Sequence, residues 1–492
     1  MTFQNLKIFS FLVLMLIAGC ASKQQVQIEK LGIDVPDTWT IPFPNSEKVA
    51  GEWWSVFSDS TFNSYLARLQ TETPDVKTLI QNQRKALYNA KISGASIYPS
   101  FNFFTRADTN VQNLAGFGFA DSFLNTTSDS TSPNEGQSSD AVISFENRNY
   151  GLGVNLQWEI DVWGRLLNGR RAAYKNFEAI EYDLSYLEFS TLIKGAKLYF
   201  NGKEAAAQLR LANESYQSLV EIRDLVKERY EKGLRSSLDY RLSETSVATS
   251  LVSIENRKNL LKSINRQIEI LLGEYPSGQF IKNPYLPTEL PLIPKQIPAS
   301  VLQRRPDIQS LILKMEASGY RVAQSKRNLL PGISLNGTIG TSTQEIEKIL
   351  DKEYGIWNLG LNLTAPLLNG GRLKSAVNIE KSNYEISKQN LVKGILNAFY
   401  EVEQFLELGK SLDIQIEALD IALKQSKDAY NLSKERYDKG ITTLESVLNS
   451  QRQYNSIQAQ YLSLKRQAIE NRLSLILAMG GKMNFESGKK LN

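Results

Sequence analysis

Few side chains in this 492-residue sequence could perform chemistry. Histidine, which exchanges protons near neutral pH and is the commonest metal ligand, is absent, and Cys20 is the single cysteine. Their scarcity excludes Ser-His and Cys-His nucleophilic sites and most zinc or iron chemistry. Catalysis by carboxylates alone stays open, but no Gly-rich phosphate loop or metal-spaced acidic cluster supports it. We therefore expect no catalytic residues, no cofactor and no metal site. A net charge of +5 without a basic block also argues against nucleic acid as a partner.

Cys20 follows an apolar stretch that runs from Ile8 to Ala18. This stretch is too short to span a bilayer of about 30 Å, so residues 1–19 are predicted to be a signal peptide. The residues Ile17 to Cys20 resemble the bacterial lipobox, in which the cysteine is lipidated and becomes the mature N-terminus. An ordinary signal peptide that leaves a free thiol is the alternative. Ala21, in place of an aspartate, favours the outer membrane by the same resemblance to bacterial lipoproteins.

The chain contains two copies of one unit. Lys227–Gly233 returns as Lys434–Gly440, 207 residues later, and Pro74–Val76 matches Pro306–Ile308 at an offset of 232. The change of offset indicates an insertion of 25 residues in one loop of the first copy. The predicted organisation is a signal peptide, a lipidated N-terminal segment, a first repeat, a Pro-rich equatorial linker, a second repeat and a tail: residues 1–19, 20–73, 74–273, 274–305, 306–481 and 482–492.

Each copy contains two runs of alternating apolar and polar residues. The clearest extends from Tyr150 to Val162, its partner covers residues 357–365, and shorter runs occupy 101–103 and 333–339. Strands of about ten residues with one apolar and one polar face are typical of a transmembrane β-barrel. A soluble β-sandwich is the alternative for any one strand. Four strands cannot close a barrel, and open edges in lipid are costly, so we expect several subunits to share it.

The two connections between paired strands are predicted to differ. Arg106 to Asn149, rich in Ser, Asn, Asp and Gly, is predicted to be a solvated loop that holds the insertion. The second copy is predicted to turn more tightly, through Thr341 to Glu353.

The remainder is predicted to be helical. Two proline-free segments of 65 residues, Leu166–Tyr230 and Leu373–Tyr437, correspond to rods of roughly 100 Å at 1.5 Å per residue. Gly233 and Gly440 are predicted to end them, as glycine does in a left-handed helix cap. A return helix is predicted to follow each rod, at Ser237–Leu272 and Leu444–Met479. A helix that begins with proline is predicted to open each copy, at Pro74–Ile97 and Pro306–Leu329.

Over nearly the whole mature chain, these features resemble the outer-membrane efflux factors of the TolC type, and more closely their lipoprotein branch. The resemblance is carried by Trp53-Trp54 with Phe57, the run Leu156–Arg165, Arg304–Ile308, Pro366 with Asn369–Arg372, and the paired Arg-Tyr-x-x-Gly turns. It implies a mainly α fold with a transmembrane β-barrel portion. Three chains, each with four strands, would form a twelve-stranded barrel continuous with a long periplasmic α-helical barrel.

The same resemblance implies a function and its partners. The homotrimer would be a passive outer-membrane exit duct, lipid-anchored in the outer membrane and extending into the periplasm. It would carry small molecules or ions delivered by a periplasmic adaptor and an inner-membrane RND-type pump.

Particular residues of the two turns match positions of functional residues in the family. The two glycine turns would form the periplasmic tip and dock the adaptor through Gly233, Leu234, Arg235, Ser236, Gly440, Ile441, Thr442 and Thr443. The channel gate would involve Asp239, Tyr437, Glu445, Ser446 and Asn449. Ser446 and Asn449 stand where the family commonly has aspartates, and Thr442 stands where it often has an arginine. We therefore expect weaker cation selectivity than in relatives with an aspartate ring.

Two alternatives remain. The same duct could serve protein export through an ABC-type secretion system, although the lipobox and the Arg304–Asp307 motif favour small-molecule efflux. A periplasmic coiled-coil lipoprotein scaffold with soluble strands is the alternative of another class.

Overall fold

The computed structural model describes residues 53–113, 144–281 and 304–480, the short stretches 36–41, 283–287 and 289–291, and single residues 32, 298 and 301. Cys20, the predicted tail 482–492 and residues 114–143 of the predicted loop lie outside the described residues.

The described elements repeat with the offsets found in the sequence. In the first copy they are α2 (Pro74–Ala95), β1 (Ser100–Asn113), β2 (Ser144–Ile160), α3 (Arg165–Glu231) and α4 (Ser237–Leu271). In the second copy they are α5 (Pro306–Arg327), β3 (Gly332–Thr343), β4 (Gly355–Thr364), α6 (Arg372–Asp438) and α7 (Leu444–Ala478). The bounds of α3 and α4 differ from those of α6 and α7 by 207 residues throughout, so the predicted rods, return helices and opening helices are confirmed.

Local chemistry explains where these helices begin. α2 and α5 start at Pro74 and Pro306, because proline has the φ angle of a first helical turn and lacks the N–H that would stay unpaired there. Asp75 and Asp307 follow in the first turn, where a negative charge interacts favourably with the helix dipole. A further helix, α1 (Ser60–Glu72), precedes them and was not predicted from the sequence.

The chain divides into two compact units, each drawn from both copies. The sheet unit comprises Thr78–Glu181 and Leu313–Ser387. The helical unit comprises Met1–Lys77, Tyr182–Ile312 and Lys388–Asn492.

The sheet unit contains an antiparallel meander in the order β1-β2-β3-β4. Directly paired residues lie on the same face of a sheet, so the register defines two faces. One face is apolar, as the alternation predicts, and many of its side chains are exposed in the single chain. Its two central rows are Phe101–Leu156–Gly337–Leu359 and Phe103–Val154–Ile339–Trp357.

The first hairpin is longer than predicted. Residues 106–113 and 144–149, placed in a loop by the sequence analysis, pair as strands, and β2 pairs with β3 only from Tyr150 onward. This part has polar residues on both faces, so it lacks the alternation that marks a half-buried strand. Backbone pairing and ion pairs such as Glu146–Arg148 (2.9 Å) accompany it instead. The connection between β3 and β4 is tight, as predicted, with two short 3₁₀ turns at Ile346–Lys348 and Lys352–Tyr354.

The helical unit has an aromatic core. Trp53 and Phe57, in a short 3₁₀ helix (Trp53–Phe57), pack with Phe62 of α1, and the rings of Phe57 and Phe62 lie 4.8 and 4.9 Å from Phe200 of α3. The Trp53-Trp54 and Phe57 motif therefore belongs to a packed core.

A buried ion pair joins the N-terminal part of this core to α3. Lys203 Nζ lies 2.6 Å from Asp59 Oδ2, and Tyr199 donates to the same carboxylate at 2.9 Å. Burial opposes the charge on Asp59, but the hydrogen bonds from Lys203, the Phe62 amide and Tyr199 outweigh it and lower the pKa of Asp59.

Across the stretches for which coordinates are described, no helix combines the length and apolarity needed to cross a membrane.

Candidate functional site

The two predicted turns have the same backbone. Gly233 and Gly440 adopt φ angles of +73° and +75°, a region that side-chain-bearing residues avoid. The Leu234 amide donates to Arg229 O at 2.8 Å, and the Gly233 amide donates to Tyr230 O at 2.9 Å. These bonds form a Schellman cap that ends α3.

The second turn repeats this geometry with residues shifted by 207. The Ile441 amide donates to Arg436 O at 2.8 Å, and the Gly440 amide donates to Tyr437 O at 3.0 Å. Apart from the glycine and its chain neighbours, no atom of the described residues lies within 4 Å of the position of a side-chain carbon at either glycine, so only the backbone conformation requires glycine there.

The return helices start with matching N-caps. Ser236 Oγ accepts a hydrogen bond from the Asp239 amide at 3.2 Å, and Thr443 Oγ1 accepts one from the Ser446 amide at 3.3 Å. Each bond satisfies an amide that lacks a partner within its helix. Asp239 and Glu445 lie in the first turns of α4 and α7, where the helix dipole stabilises a carboxylate.

The two turns pack on each other through a small hydrophobic cluster. Residues of α3 and α6 contribute to it, together with the first two turns of α7. Its buried members are Ile222, Val226, Tyr437, Leu444, Val447 and Leu448.

Tyr437 is the largest side chain of this cluster and is only 2% exposed. Two arginines lie over its ring, with the guanidinium carbon of Arg235 at 4.5 Å and that of Arg229 at 5.6 Å from the centroid. Cations in this position are attracted to the negative face of an aromatic ring. Arg229 also lies 3.9 Å from Asp438. Tyr437 is thus held beneath two cations contributed by the other turn.

The surroundings of Tyr437 change the pKa of its hydroxyl and determine its hydrogen bonding. Burial raises the pKa of Tyr437, the charge of Arg235 lowers it by a smaller amount, and the charge of Asp239 raises it further. The hydroxyl oxygen is buried and has no hydrogen-bond partner among the described residues.

The equivalent tyrosine of the first turn is different. Tyr230 is 41% exposed and stacks on Tyr240 of α4, with the two rings 5.5 Å apart and nearly parallel. Thr442 occupies the position in the second turn that corresponds to Arg235, so the second turn supplies no arginine at that position.

The two turns expose apolar side chains at equivalent positions. Leu234 and Ile441, each next to its glycine, are both 69% exposed. Scattered exposed apolar residues are ordinary, but a matched pair on two turns that pack together forms a defined surface. We call Leu234 and Ile441 the apical pair.

The structure places the remaining predicted gate residues in separate roles. Asp239 is partly buried and close enough to Tyr437 for its charge to affect the phenol. Ser446 serves the N-cap of α7, and its hydroxyl lies 3.1 Å from Thr443 Oγ1. The exposed Asn449 accepts a hydrogen bond from Arg452. The exposed Glu445 lies beside Ser446 at the start of α7.

Several residues of this site were not predicted from the sequence. Arg229, Val447 and Leu448 cover or adjoin Tyr437. The apolar positions 444, 447 and 448 follow helical spacing and indicate a buried face of α7, but that spacing does not identify what covers it.

The Arg304–Ile308 motif has a different position and role. Arg305 is almost fully buried, and its guanidinium donates to both Asp307 oxygens, to Glu401 at 2.6 Å and to Ala478 O at 3.1 Å. Burial opposes its charge, but the bonds to Asp307 and the charge of Glu401 outweigh it and raise the pKa of Arg305. The motif thus fastens the start of α5 to α6 and to the end of α7.

Within the described part of the chain, no group of three or more acidic or cysteine side chains is arranged to hold a metal ion.

Comparison with known proteins gives consistent matches. The family described as outer membrane efflux protein matches residues 66–274 and 297–481. The pyoverdine export outer membrane protein OpmQ of Pseudomonas aeruginosa is 25% identical over 484 residues, which cover 98% of this chain and 97% of that protein. The cation efflux system protein CusC of Escherichia coli O6:H1 is 23% identical over 490 residues, covering 96% and 98%.

Solved structures of outer-membrane channels have the same fold. The outer-membrane channel OprN matches with a TM-score of 0.76 at 19% identity, covering 92% of this chain and 98% of OprN. The Campylobacter jejuni CmeC outer membrane channel matches with a TM-score of 0.76 at 21% identity, covering 92% and 91%.

Proposed function

The chain belongs to the outer membrane efflux protein family, and from this premise we propose how its parts carry solute out of the cell. It resides in the outer membrane and is the exit duct of a tripartite efflux system, in which channels of this family work as trimers. Its relatives are channel proteins rather than enzymes.

Three copies complete one barrel. In the described chain β1 pairs only with β2, and β4 pairs only with β3, so each subunit has two free edges. Joining β4 of one copy to β1 of the next gives twelve strands and leaves no unpaired backbone in lipid. The apolar face of the sheet then meets lipid, and the polar face lines the lumen.

The paired turns are the periplasmic tip, where the adaptor docks. The observation that carries this proposal is the apical pair, Leu234 and Ile441, presented on two rigidly capped turns that pack together. Capped turns hold exposed apolar side chains in fixed positions, which lowers the entropy lost when a partner binds. Arg235, Ser236, Thr442 and Thr443 flank the pair and supply polar contacts at its rim.

The gate is formed where Arg229 and Arg235 hold Tyr437. These contacts join the start of the α6–α7 turn to the α3–α4 turn, so outward movement of one turn must separate the arginines from the ring. Asp239 borders this contact. Glu445, Ser446 and Asn449 are neighbours on the first turns of α7 and contribute one formal negative charge between them, which fits weak cation selectivity.

The partners and the cargo follow from the family. We assign a periplasmic adaptor and an inner-membrane RND-type pump as partners, and small molecules or ions as the cargo. Relatives named for pyoverdine export and for cation efflux support both cargo classes. Cys20 is assigned as the lipid anchor, in keeping with a relative described as a probable outer membrane lipoprotein.

The docking role is tested by placing charge on the apical pair. In the native host, Leu234→Glu combined with Ile441→Glu should abolish export-dependent resistance while trimer levels in the outer membrane stay normal. Leu350→Glu is the matched control, because Leu350 is 77% exposed but lies in the β3–β4 connection. Normal export by the double variant would exclude the apical pair from docking.

A further inference from the structure

The polar face of the sheet is lined mainly by amides and hydroxyls, and one further row, Phe104–Gly153–Gly340–Ile356, adds uncharged apolar residues. The pairing register places seven polar side chains and one glycine on its two central rows. These rows are Ser100–Gln157–Asn336–Gly360 and Asn102–Asn155–Thr338–Asn358. None of these side chains titrates in water, so the centre of the face carries no charge of its own.

Hydrogen bonds between strands hold part of this lining in place. Thr338 Oγ1 donates to Asn155 Oδ1 at 2.8 Å, and Ser342 Oγ donates to Asn149 Oδ1 at 2.9 Å. Each bond uses one lone pair of the amide oxygen, and an asparagine has further acceptor and donor capacity for water or a passing solute. The lining can therefore replace part of the hydration shell of a polar solute.

The ionisable groups on the same face are paired with opposite charges. They are Arg106, Asp108 and Glu159, because residues two apart in a strand share a face. Arg106 Nε lies 3.5 Å from Asp108 Oδ1. Glu159 is bound by Arg165 at the start of α3, with two nitrogens of the guanidinium donating to the carboxylate. The formal charges of these two pairs cancel.

The other charged residues of the strands lie on the opposite face. Glu146 and Arg148 alternate with the lumen-side residues of β2 and pair with each other at 2.9 Å. β3 and β4 contain no charged residue.

We propose that the barrel portion of this duct is an electrically neutral, amide-lined conduit that passes polar solutes of either charge sign. The proposal rests on the proposed function, because it takes the polar face as the wall of the lumen. The cargo class that suits such a wall is hydrophilic and rich in hydrogen-bonding groups, with anions and cations admitted alike. Any selection by charge then takes place outside the barrel, at the periplasmic tip or in the pump.

The local potential at the wall can be measured with charged thiol reagents. Asn155→Cys and Asn358→Cys are made separately in the full chain, and the purified trimers are placed in vesicles of phosphatidylcholine and phosphatidylglycerol. Each is treated with a quaternary-ammonium and with a sulfonate methanethiosulfonate. The ratio of the two rates, divided by the same ratio for a small free thiol, reports the potential at the cysteine. Cys20 is the only native cysteine, so the parent chain treated with the same two reagents gives the background.

Two further variants calibrate the measurement. Asn358→Asp added to Asn155→Cys places a carboxylate in the same row and should raise the ratio about tenfold in favour of the cation. Val154→Cys lies on the apolar face and should react with neither reagent in vesicles.

The expected ratio at Asn155→Cys and Asn358→Cys is within about threefold of one, which is what a wall without net charge produces. A larger preference for either reagent would overturn the neutral conduit while leaving the barrel intact. Reaction at Val154→Cys with none at Asn155→Cys would show that the faces are reversed. That result would overturn the proposed barrel, and the neutral conduit with it.

Discussion

The α3–α4 turn and the α6–α7 turn share a backbone and differ in what surrounds their tyrosine. Both end a 67-residue helix with a left-handed glycine, and both start the return helix with a hydroxyl N-cap. Yet Tyr437 is buried beneath Arg229 and Arg235, whereas Tyr230 is partly exposed and stacks on Tyr240.

This difference separates what the duplicated sequence determines from what the pairing of the copies determines. The cap depends on residues next to one another in the chain, so both copies form it. The cover of Tyr437 depends on the other turn, and only the first turn carries an arginine after the leucine that follows its glycine. Tyr437 is therefore the residue through which one turn holds the other.

The sharpest test of this asymmetry removes each tyrosine in turn. Tyr437→Ala should lower the local unfolding free energy of residues 434–448 by about 3 kcal/mol, because truncating a buried aromatic side chain leaves a cavity. Tyr230→Ala should cost about 1 kcal/mol or less, because its ring is already partly in water. Hydrogen exchange of the turn amides, followed by mass spectrometry, measures both. Equal losses of protection would remove the distinction between the turns.

Replacing either glycine should destabilise its turn by the same amount, because both turns have the same left-handed cap. Gly233→Ala and Gly440→Ala should each cost about 1–2 kcal/mol in the same exchange measurement, because alanine is strained at positive φ. Gly360→Ala is the control, since Gly360 also has no atom near its missing side chain but does not adopt a positive φ. A cost at one glycine only would mean that the caps are not equivalent.

The arginine over Tyr437 should contribute less than the ring itself. Arg235→Gln should weaken the turn by about 0.5–2 kcal/mol, the range for a cation above an aromatic ring. Thr442→Gln, at the equivalent position of the second turn, should have a smaller effect, because no contact of this kind is made there. Exchange rates of residues 434–448 in the two variants give the comparison, and a larger effect of Thr442→Gln would contradict it.

The hydroxyl of Tyr437 should matter least at neutral pH. No described residue forms a hydrogen bond with it, so Tyr437→Phe should change local stability by no more than about 0.5 kcal/mol. The folded-state pKa of Tyr437 is raised above its usual 10.0, so the neutral phenol stabilises the fold below pH 10 and this contribution is lost as the pH rises through the folded-state pKa. Ultraviolet titration at alkaline pH should show one late-ionising tyrosine fewer in Tyr437→Phe than in the parent, because Tyr65 and Tyr199, whose pKa values burial also raises, stay in both proteins. An unchanged titration curve would contradict this assignment.

Much of the fold could be predicted because the residues that start and end its helices are neighbours in the sequence. Proline at the start of α2 and α5, and glycine after α3 and α6, predicted the long helices to within two residues of their observed ends. The extension of β1 and β2 could not be predicted, because polar residues on both faces carry no periodic signal. Helix α1 was missed, and its aromatic contacts with α3 join residues more than a hundred positions apart.

The candidate site also contains residues that could be predicted from the sequence and residues that could not. Gly233, Gly440 and the residues that follow them were found from the repeat itself. The burial of Tyr437 was not foreseeable from its neighbours, because Arg-Tyr precedes both glycines in the same way. Arg305 was recognised as part of a motif, but its bonds to Glu401 and Ala478 O explain the motif only in the folded chain.

Single-channel conductance tests most directly that the paired turns close a duct. The purified protein, Tyr437→Ala and Tyr230→Ala would be compared in planar phosphatidylcholine bilayers. If Tyr437 holds the tip closed, the parent should give small channel steps, Tyr437→Ala should give steps several times larger, and Tyr230→Ala should resemble the parent. Equal conductance of all three proteins would contradict a gate at Tyr437, and the absence of channel events in all three would contradict the duct itself.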